Sequence, residues 1–407
     1  SEGAKDGKAA GDPQLPTALL RHRPRGGWVG LNRLGVPDRL CTESQLLIEC
    51  VSRTEDPFIV PTPARPNETP LDFPWSDAPE SETCIEVAPG VNWIRMPLPF
   101  ALDHINLWVL EETDGWVLVD SGFDSSITQE IWARLFKTVF AGKPPKRLIC
   151  THHHPDHMGL AGWLTETYDI PLSTTQKEWD AYHLWSRLEP EAVVEMMGHF
   201  YKRGGVSGDR GEIDLRRRKS MSSRDRADPI AFARIEEADE IKIDGRPWTV
   251  NIGTGHAPEL AALFRADDKV LISGDQVLPR ISPNVSVMPF ALDADPLKDF
   301  LDSLDRFRTL PVDTLVLPSH KLPFYGLHDR IDALKSHHMD RLDDAFTACV
   351  DPTTAADATT VLFPRALDDH QYFFALGETL AHLNYLWCDE QVSREETASG
   401  TFVFQSR

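Results

Sequence analysis

Apolar and polar positions alternate through IEVAPGVNWIRMPL (85–98) and INLWVLEETDGWVLVDSG (105–122), with turn signals at Pro89-Gly90 and Asp114-Gly115. This period of two predicts strands of an antiparallel meander. The period then lengthens: SSITQEIWARLFKTVF (125–140) spaces Ile127, Ile131, Leu135 and Phe136 for one face of a helix. RLIC (147–150) reads as a short, fully apolar strand, and DIPLSTTQ (169–176) suggests another. EWDAYHLWSRLEPEAVVEMMGHFYKRGG predicts two helices broken at Glu189-Pro190, followed by the basic, loop-like DLRRRKSMSSRDRADP. Strand alternation returns in EIKIDGRPWTVNIGTG (240–255) around an Asp-Gly turn, and DDKVLISGD (267–275) is a further turn and buried strand. DPLKDFLDSLDRFRTL (295–310) predicts a helix with Asp295 as its N-cap, and DTLVLPSH (313–320) a buried strand ending in His. Beyond about 326 come a long helix (HDRIDALKSHHMDRLDDAFTA), two more helices (TTAADATTVL and HQYFFALGETLAHLNYLW) and a closing hairpin (EETASGTFVFQ).

The order of elements predicts an α/β (α+β) fold in which two mixed sheets are covered by helices. Three regions are expected. Residues 1–84, rich in Pro, Gly and charge, form an extended or disordered N-terminal arm in which RLCTESQLLIECVSRT alone has the apolar content of a short helix. Residues 85–325 form the main domain, with a helical insert at 177–240, and 326–407 form a winged-helix-like appendage. The pentapeptide PFALD occurs at both 99–103 and 289–293, too short an echo to establish duplication.

Composition narrows the functional classes. The 407 residues carry 42 Lys and Arg against 63 Asp and Glu, a net charge of -21. That balance disfavours nucleic acid as a partner, because phosphate binding needs a basic face. No apolar run approaches a membrane span. No basic stretch followed by an apolar one marks a secretory signal, so a cytoplasmic location is expected, although Ser rather than Met at position 1 is compatible with a removed upstream piece. The six cysteines are scattered without short pairings and read as reduced. Cys150 reads as a small apolar residue ending a buried strand.

The chemistry concentrates in THHHPDHMGL (151–160), which follows the RLIC strand. In a tight loop at a strand's carboxyl end, His152 and His154 can point one way while Asp156 and His157 turn toward a second position. His and Asp suit Zn2+ and similar first-row ions, and two cations would explain why such crowding is tolerated. His153, by alternation, points away and is taken as structural. Further candidates each follow a predicted strand: Asp120 in VDSG, His256 in GTGHAPE, Asp275 in SGD and His320 in PSH.

This series resembles the metallo-β-lactamase superfamily over roughly residues 85–325, since HHHPDH matches its H-x-H-x-D-H motif and VDSG, GTGHAPE, SGD and PSH match its remaining four motifs in the right order. The resemblance implies an αββα sandwich with the site at the sheet edge. It implies that His152, His154 and His256 hold a first metal, Asp156, His157 and His320 a second, and that Asp275 bridges both, while Asp120 braces the His-rich loop. The cofactors implied are two divalent ions, Zn2+ first, with Fe or Mn accepted by the same ligands. The mechanism implied is attack of a metal-bridging hydroxide on a carbonyl or phosphoryl centre, with Asp156 orienting the nucleophile. The tail resembles that of a β-lactamase-like branch including a mitochondrial endoribonuclease. The core is also similar to glyoxalase II, although that family's glutathione contacts are not found here.

Three functions follow from these readings. The first is hydrolysis of a small ester, thioester or lactone, favoured by the acidic charge and the insert. The second is an endonuclease or phosphodiesterase of the winged-helix branch, and the third a mononuclear-iron redox member. Trp179, Tyr182, Trp185, Phe200 and Tyr201 in the insert are candidates to line an apolar substrate pocket under a lid, with plain helix packing as the alternative. Arg216, Arg217, Arg218 and Lys219 are candidates to meet an anionic carrier, or form a solvated charge run. His104 and Tyr325 flank motif positions and are candidate substrate contacts. A homodimer is expected from the relatives that this resemblance suggests.

Overall fold

The computed structural model describes residues 70–99, 102–207, 216, 228–229 and 231–407, without the side chains of Trp185, Ser186 and Pro190. The helix expected in RLCTESQLLIECVSRT and most of the 1–84 arm lie outside these residues, as do Arg217, Arg218 and Lys219; Arg216 is exposed.

The first sheet has seven strands in sequence order. They are β1 (Ile85–Ala88), β2 (Val91–Pro97), β3 (His104–Glu112), β4 (Gly115–Val119), β5 (Pro145–Ile149), β6 (Leu172–Thr174) and β7 (Ala233–Arg234). β1 to β4 pair antiparallel, and β4 to β7 pair parallel. The second sheet runs β12-β11-β10-β9-β8. It is built from β8 (Glu240–Ile243), β9 (Arg246–Gly253), β10 (Leu260–Arg265), β11 (Val270–Gly274) and β12 (Leu315–Pro318), with only the β11/β12 pair parallel.

Central strands buried on both faces carry apolar residues at nearly every position. On β3, Trp108 and Leu110 face the second sheet, where they join Trp93, Trp248, Leu263 and Ile272. Ile105, Leu107 and Val109 face outward onto α1 (Ser126–Lys137) and α2 (Ala161–Tyr168). The outer face of the second sheet, with Ala262, Leu271 and Val316, is covered by Leu297, Phe300 and Leu304 of α5 (Pro296–Phe307). The layers are therefore helix, sheet, sheet, helix. Each fully buried large side chain contributes about 1.5–3 kcal/mol of hydrophobic stabilisation before entropy is counted.

The helices begin where the sequence supplies caps. Ser125 Oγ accepts from Thr128 N at the start of α1, and Asp295 Oδ1 accepts from Lys298 N at the start of α5. The apolar face predicted for α1 is rotated: Ile127 is exposed, and Trp132 is buried in its stead, donating from Nε1 to Ser121 O at 2.9 Å. That bond ties α1 to the turn after β4.

The insert opens as predicted, with α3 (Gln176–Arg187) and α4 (Pro190–Gly204) broken at Glu189-Pro190. It is not helical throughout, because β7 returns to the edge of the first sheet. A two-residue strand is too short to show alternation. Of the two readings of its aromatics, helix packing describes Trp179, Phe200 and Tyr201. Phe200 and Tyr201 are buried in the core formed with α5 and the C-terminal helices, and Phe200 packs on Phe373 at 5.5 Å between ring centroids. Trp179 stacks on Phe232 at 4.3 Å. Helix packing is what these rings do.

The C-terminal part consists of α6 (Leu327–Ala348), α7 (Ala355–Leu362), α8 (Asp369–Cys388) and the hairpin β13 (Val392–Glu396) and β14 (Phe402–Ser406). α7 and α8 each start with a capping box, Thr354/Asp357 and Asp368/Gln371. Residues from Pro70 onward lie against the body: Asp72 pairs with Tyr325, and Phe73 packs against Phe324. Among the described residues, no helix is long and apolar enough to cross a membrane.

Candidate metal centre

Five chain segments deliver polar side chains to one edge, each from the carboxyl end of a strand: Asp120 after β4, the His-rich loop after β5, His256 after β9, Asp275 after β11 and His320 after β12. Two groups of donor atoms result. His152, His154, His256 and Asp275 form one, and Asp156, His157 and His320 the other, with donor atoms in each within 4.8 Å of one another. Asp275 lies between them. Its Oδ2 is 3.4 Å from His256 Nε2, and its Oδ1 is 3.5 Å from His157 Nε2 and 3.7 Å from His320 Nε2. Asp156 Oδ2 is 3.3 Å from His320 Nε2.

The imidazoles are oriented from behind. His157 Nδ1 faces Asp120 Oδ2 at 2.8 Å, His256 Nδ1 faces Asn284 O at 2.8 Å, and His320 Nδ1 faces His104 O at 3.2 Å. His152 Nδ1 lies 3.1 Å from Thr151 Oγ1, whose hydroxyl proton goes to Asp120. These acceptors hold an N–H on each Nδ1 and aim each Nε2 into the cluster, the orientation a metal ligand needs. His157 Nε2 and Asp275 Oδ1 are buried without a hydrogen-bond partner. An orphaned lone pair of this kind is costly unless it has a charge to bind. The donor set therefore fits divalent cations.

The charges divide accordingly. Burial, then the neighbouring histidines, hold His152 and His154 well below the usual imidazole range. Burial works against the proton on His157 too, but Asp275, Asp156 and Asp120 outweigh it and raise this residue well above that range. His320 is raised in the same way by Asp275 and Asp156 over burial. Burial opposes ionisation of Asp275, yet His320 and His157 hold its carboxyl well below the usual carboxylate range.

Asp120 accepts from Thr151 N at 2.7 Å as well as facing His157 Nδ1. The expected substrate contacts fare differently. His104 reaches the cluster through its carbonyl, while its ring pairs with Asp103 at 3.1 Å. The Tyr182 hydroxyl donates to Asp228, and its ring is buried in the core over the first sheet. Tyr325 is exposed, and its backbone pairs with Asp72. The Trp185 side chain lies outside the described residues. Three residues that sequence reasoning missed support the site. Glu178 is fully buried beside His153. Asn284 lends its carbonyl to His256, and the Asn106 amide donates to Pro318 O and Lys321 O on either side of His320. Only Glu178 left a local signal, the T-x-x-E spacing from Thr175.

Behind Asn284 lies Glu378 of α8, whose Oε2 accepts from Asn284 Nδ2 at 3.3 Å. Burial raises its carboxyl from 4.5 to about 7, against the pull of Arg341 and the Asn284 bond. The folded protein therefore keeps a proton that the unfolded chain loses above about 4.5, so this group's contribution falls as pH rises through about 7. Glu378→Gln, which retains an acceptor for Asn284, is expected to gain stability over the parent at pH 8.5 but not at pH 4.5. The gain is at most about 3 kcal/mol. Urea unfolding of both proteins at the two pH values measures it, and a difference that does not grow with pH contradicts it.

Sequence comparison places residues 101–320 in the family described as Metallo-beta-lactamase superfamily and residues 342–407 in that described as Metallo-beta-lactamase-like, C-terminal domain. The chain is 26% identical over 314 residues to the Probable metallo-hydrolase YqjP of Bacillus subtilis (strain 168), covering 74% of this chain and 93% of that protein. The crystal structure of a Beta-lactamase domain protein from Burkholderia ambifaria is similar with a TM-score of 0.77 and 42% identity, covering 83% of this chain and 98% of that one. That of the metallo-beta-lactamase family protein TTHA1429 from Thermus thermophilus is similar with a TM-score of 0.67 and 28% identity, covering 79% and 100%.

Proposed function

Because the chain belongs to the metallo-beta-lactamase superfamily, we propose that it is a binuclear metal-dependent hydrolase acting on the carbonyl carbon of a small ester, thioester or lactone. The observation that carries this reading is the pair of adjoining donor groups with Asp275 between them. In this reading His152, His154 and His256 would hold one ion, Asp156, His157 and His320 would hold the other, and Asp275 would serve both. Zn2+ is the first expectation, and Fe or Mn suit the same ligands.

When bound, such ions supply Lewis acidity toward the substrate oxygen and a water activated at neutral pH. The protein's residues do the rest. His157 and His320, 3.8 Å and 3.3 Å from Asp156 Oδ2, favour its carboxylate form. The ionised carboxylate can take a proton from the attacking water and pass it to the leaving oxygen or sulfur. Asp120, Thr151, Asn284 and the His104 carbonyl hold the imidazoles so that little reorganisation is needed during the reaction. A carbonyl substrate is favoured over a polyanionic phosphodiester by the excess of 63 acidic over 42 basic residues.

The test joins metal content with turnover of S-lactoylglutathione, an acyl-CoA, an acyl-homoserine lactone and bis-p-nitrophenyl phosphate. About two metals per chain and turnover of one carbonyl substrate, lost in the double variant His152→Ala/Asp156→Ala, are expected. Turnover of the phosphodiester alone points to the nuclease reading. One iron per chain without hydrolysis removes the binuclear mechanism.

A further inference from the structure

Glu178 is the third residue of α3 and is fully buried. Thr175 caps the helix, and the T-x-x-E spacing suits a capping box in which the glutamate reaches back to the cap. The Glu178 carboxylate instead reaches out of the helix to two other loops. Its Oε2 accepts from both the backbone N (3.0 Å) and the ring Nδ1 (2.6 Å) of His153, and its Oε1 accepts from Glu259 N at 2.6 Å. Thr175 Oγ1 donates to Glu259 O at 2.9 Å, so both backbone groups of Glu259 are held by the first turn of α3. A carboxylate taken wholly out of water is expensive unless its lone pairs are filled, and these are filled by N–H donors from two distant loops.

Those loops carry all three imidazoles of one donor group, although the first of them goes on to Asp156 and His157 of the other. His153 stands between His152 and His154, and Glu259 follows His256 by three residues. Glu178 thus spans the three imidazoles grouped with Asp275. Asp120 makes the equivalent contact on the other side, at His157. Asp120 also reaches His152, through the Thr151 hydroxyl, so Glu178 is the brace that belongs to one group alone.

We propose that Glu178 is a positioning residue that sets the affinity of the His152/His154/His256 half of the centre for a divalent cation, without setting that of the Asp156/His157/His320 half. The inference rests on the two-ion reading above. Gln at 178 keeps one acceptor oxygen but turns an NH2 toward an N–H donor, so one of the two loops loses its tie.

The experiment is a titration of metal-free protein with Co2+, followed by visible absorption and calorimetry, on the parent, Glu178→Gln and Asp120→Asn. In the parent, two equivalents bind. In Glu178→Gln, one of them weakens by about 10–100-fold and the other is unchanged. The weakened one is identified because His154→Ala removes it, and Glu178→Gln adds nothing further in that background. Asp120→Asn, at a side chain that faces His157 directly and His152 only through Thr151, weakens the equivalent that Glu178→Gln leaves unchanged. Two equivalents in the parent with both, or neither, altered by Glu178→Gln overturn the proposal while leaving the two-ion reading intact. A single equivalent in the parent overturns the two-ion reading itself, and with it the independence of the halves. Circular dichroism and the melting temperature of the metal-free proteins report whether the variant folds. Should Glu178→Gln fail to fold, Glu178→Asp, which keeps the charge but is too short to span both loops, is expected to show the same selective loss.

Discussion

Asp275→Ala is expected to leave a folded protein with at most one tightly held metal per chain and hydrolysis reduced by at least about 1,000-fold in kcat/KM, or about 4 kcal/mol of transition-state stabilisation. The size follows from position. Among the described residues, Asp275 is the one side chain whose two oxygens face both donor groups, Oδ2 toward His256 and Oδ1 toward His157 and His320. It also stands among the causes that raise His157 and His320. Without it, five imidazoles and Asp156 remain, and the two groups lose their common carboxylate. Folding is expected to survive because β11, which Asp275 directly follows, is buried along its whole length by apolar contacts that the substitution leaves untouched. Metal analysis after dialysis, with steady-state kinetics on the best substrate of the panel, gives the answer. Two retained metals and turnover within tenfold of the parent would contradict the shared role of Asp275.

How far the site could be read in the sequence depended on how locally its parts are encoded. The His-rich loop was legible because four ligand-type residues sit within six positions after a strand whose apolar run ends at the buried Cys150. His256, Asp275 and His320 were legible because each follows a strand, and β11 and β12 are buried at every position. The supporting residues were not. Asn284 acts through a backbone carbonyl, which every residue has, and the Asn106 amide reaches Pro318 across 212 positions. His104 was singled out from its neighbourhood, and the contact it makes with the cluster is through its carbonyl, which its side chain gives no hint of. The insert aromatics left two readings open for a related reason. Periodicity gives the apolar face of a helix but not what it packs against, and Phe200 meets Phe373 of a helix far along the chain. Local pattern therefore located the donors and the layers, and tertiary contact decided what orients them.

Gly255→Ala is expected to destabilise the protein by about 2–5 kcal/mol and to weaken metal binding at the His256 side of the centre. Gly255 has φ +94, a conformation that costs a residue with a Cβ about 1–2 kcal/mol. Space is the second cost. A Cβ there would lie 2.4 Å from Phe300 Cβ, 2.5 Å from Phe300 N and 2.5 Å from Pro296 O. Two of those three are backbone atoms of α5, capped by Asp295 and buried through Phe300, so they have no room to yield. The same loop is pinned to α5 by Thr254 N to Ser303 Oγ (3.1 Å) and Thr254 Oγ1 to Asp299 O (2.9 Å). Relief must then come from lifting residues 254–256 off the helix, which moves His256 away from Asn284 O, His152 and Asp275. Gly142→Ala separates the two costs, since Gly142 has φ +90 and a methyl group placed there meets nothing within 4 Å. Urea unfolding of both variants should show Gly142→Ala losing about 1–2 kcal/mol and Gly255→Ala clearly more. Cobalt binding should change only in Gly255→Ala. Equal losses in the two variants, with cobalt binding unaltered in both, would mean that the close approach of the His256 loop to α5 does not govern the geometry of the centre.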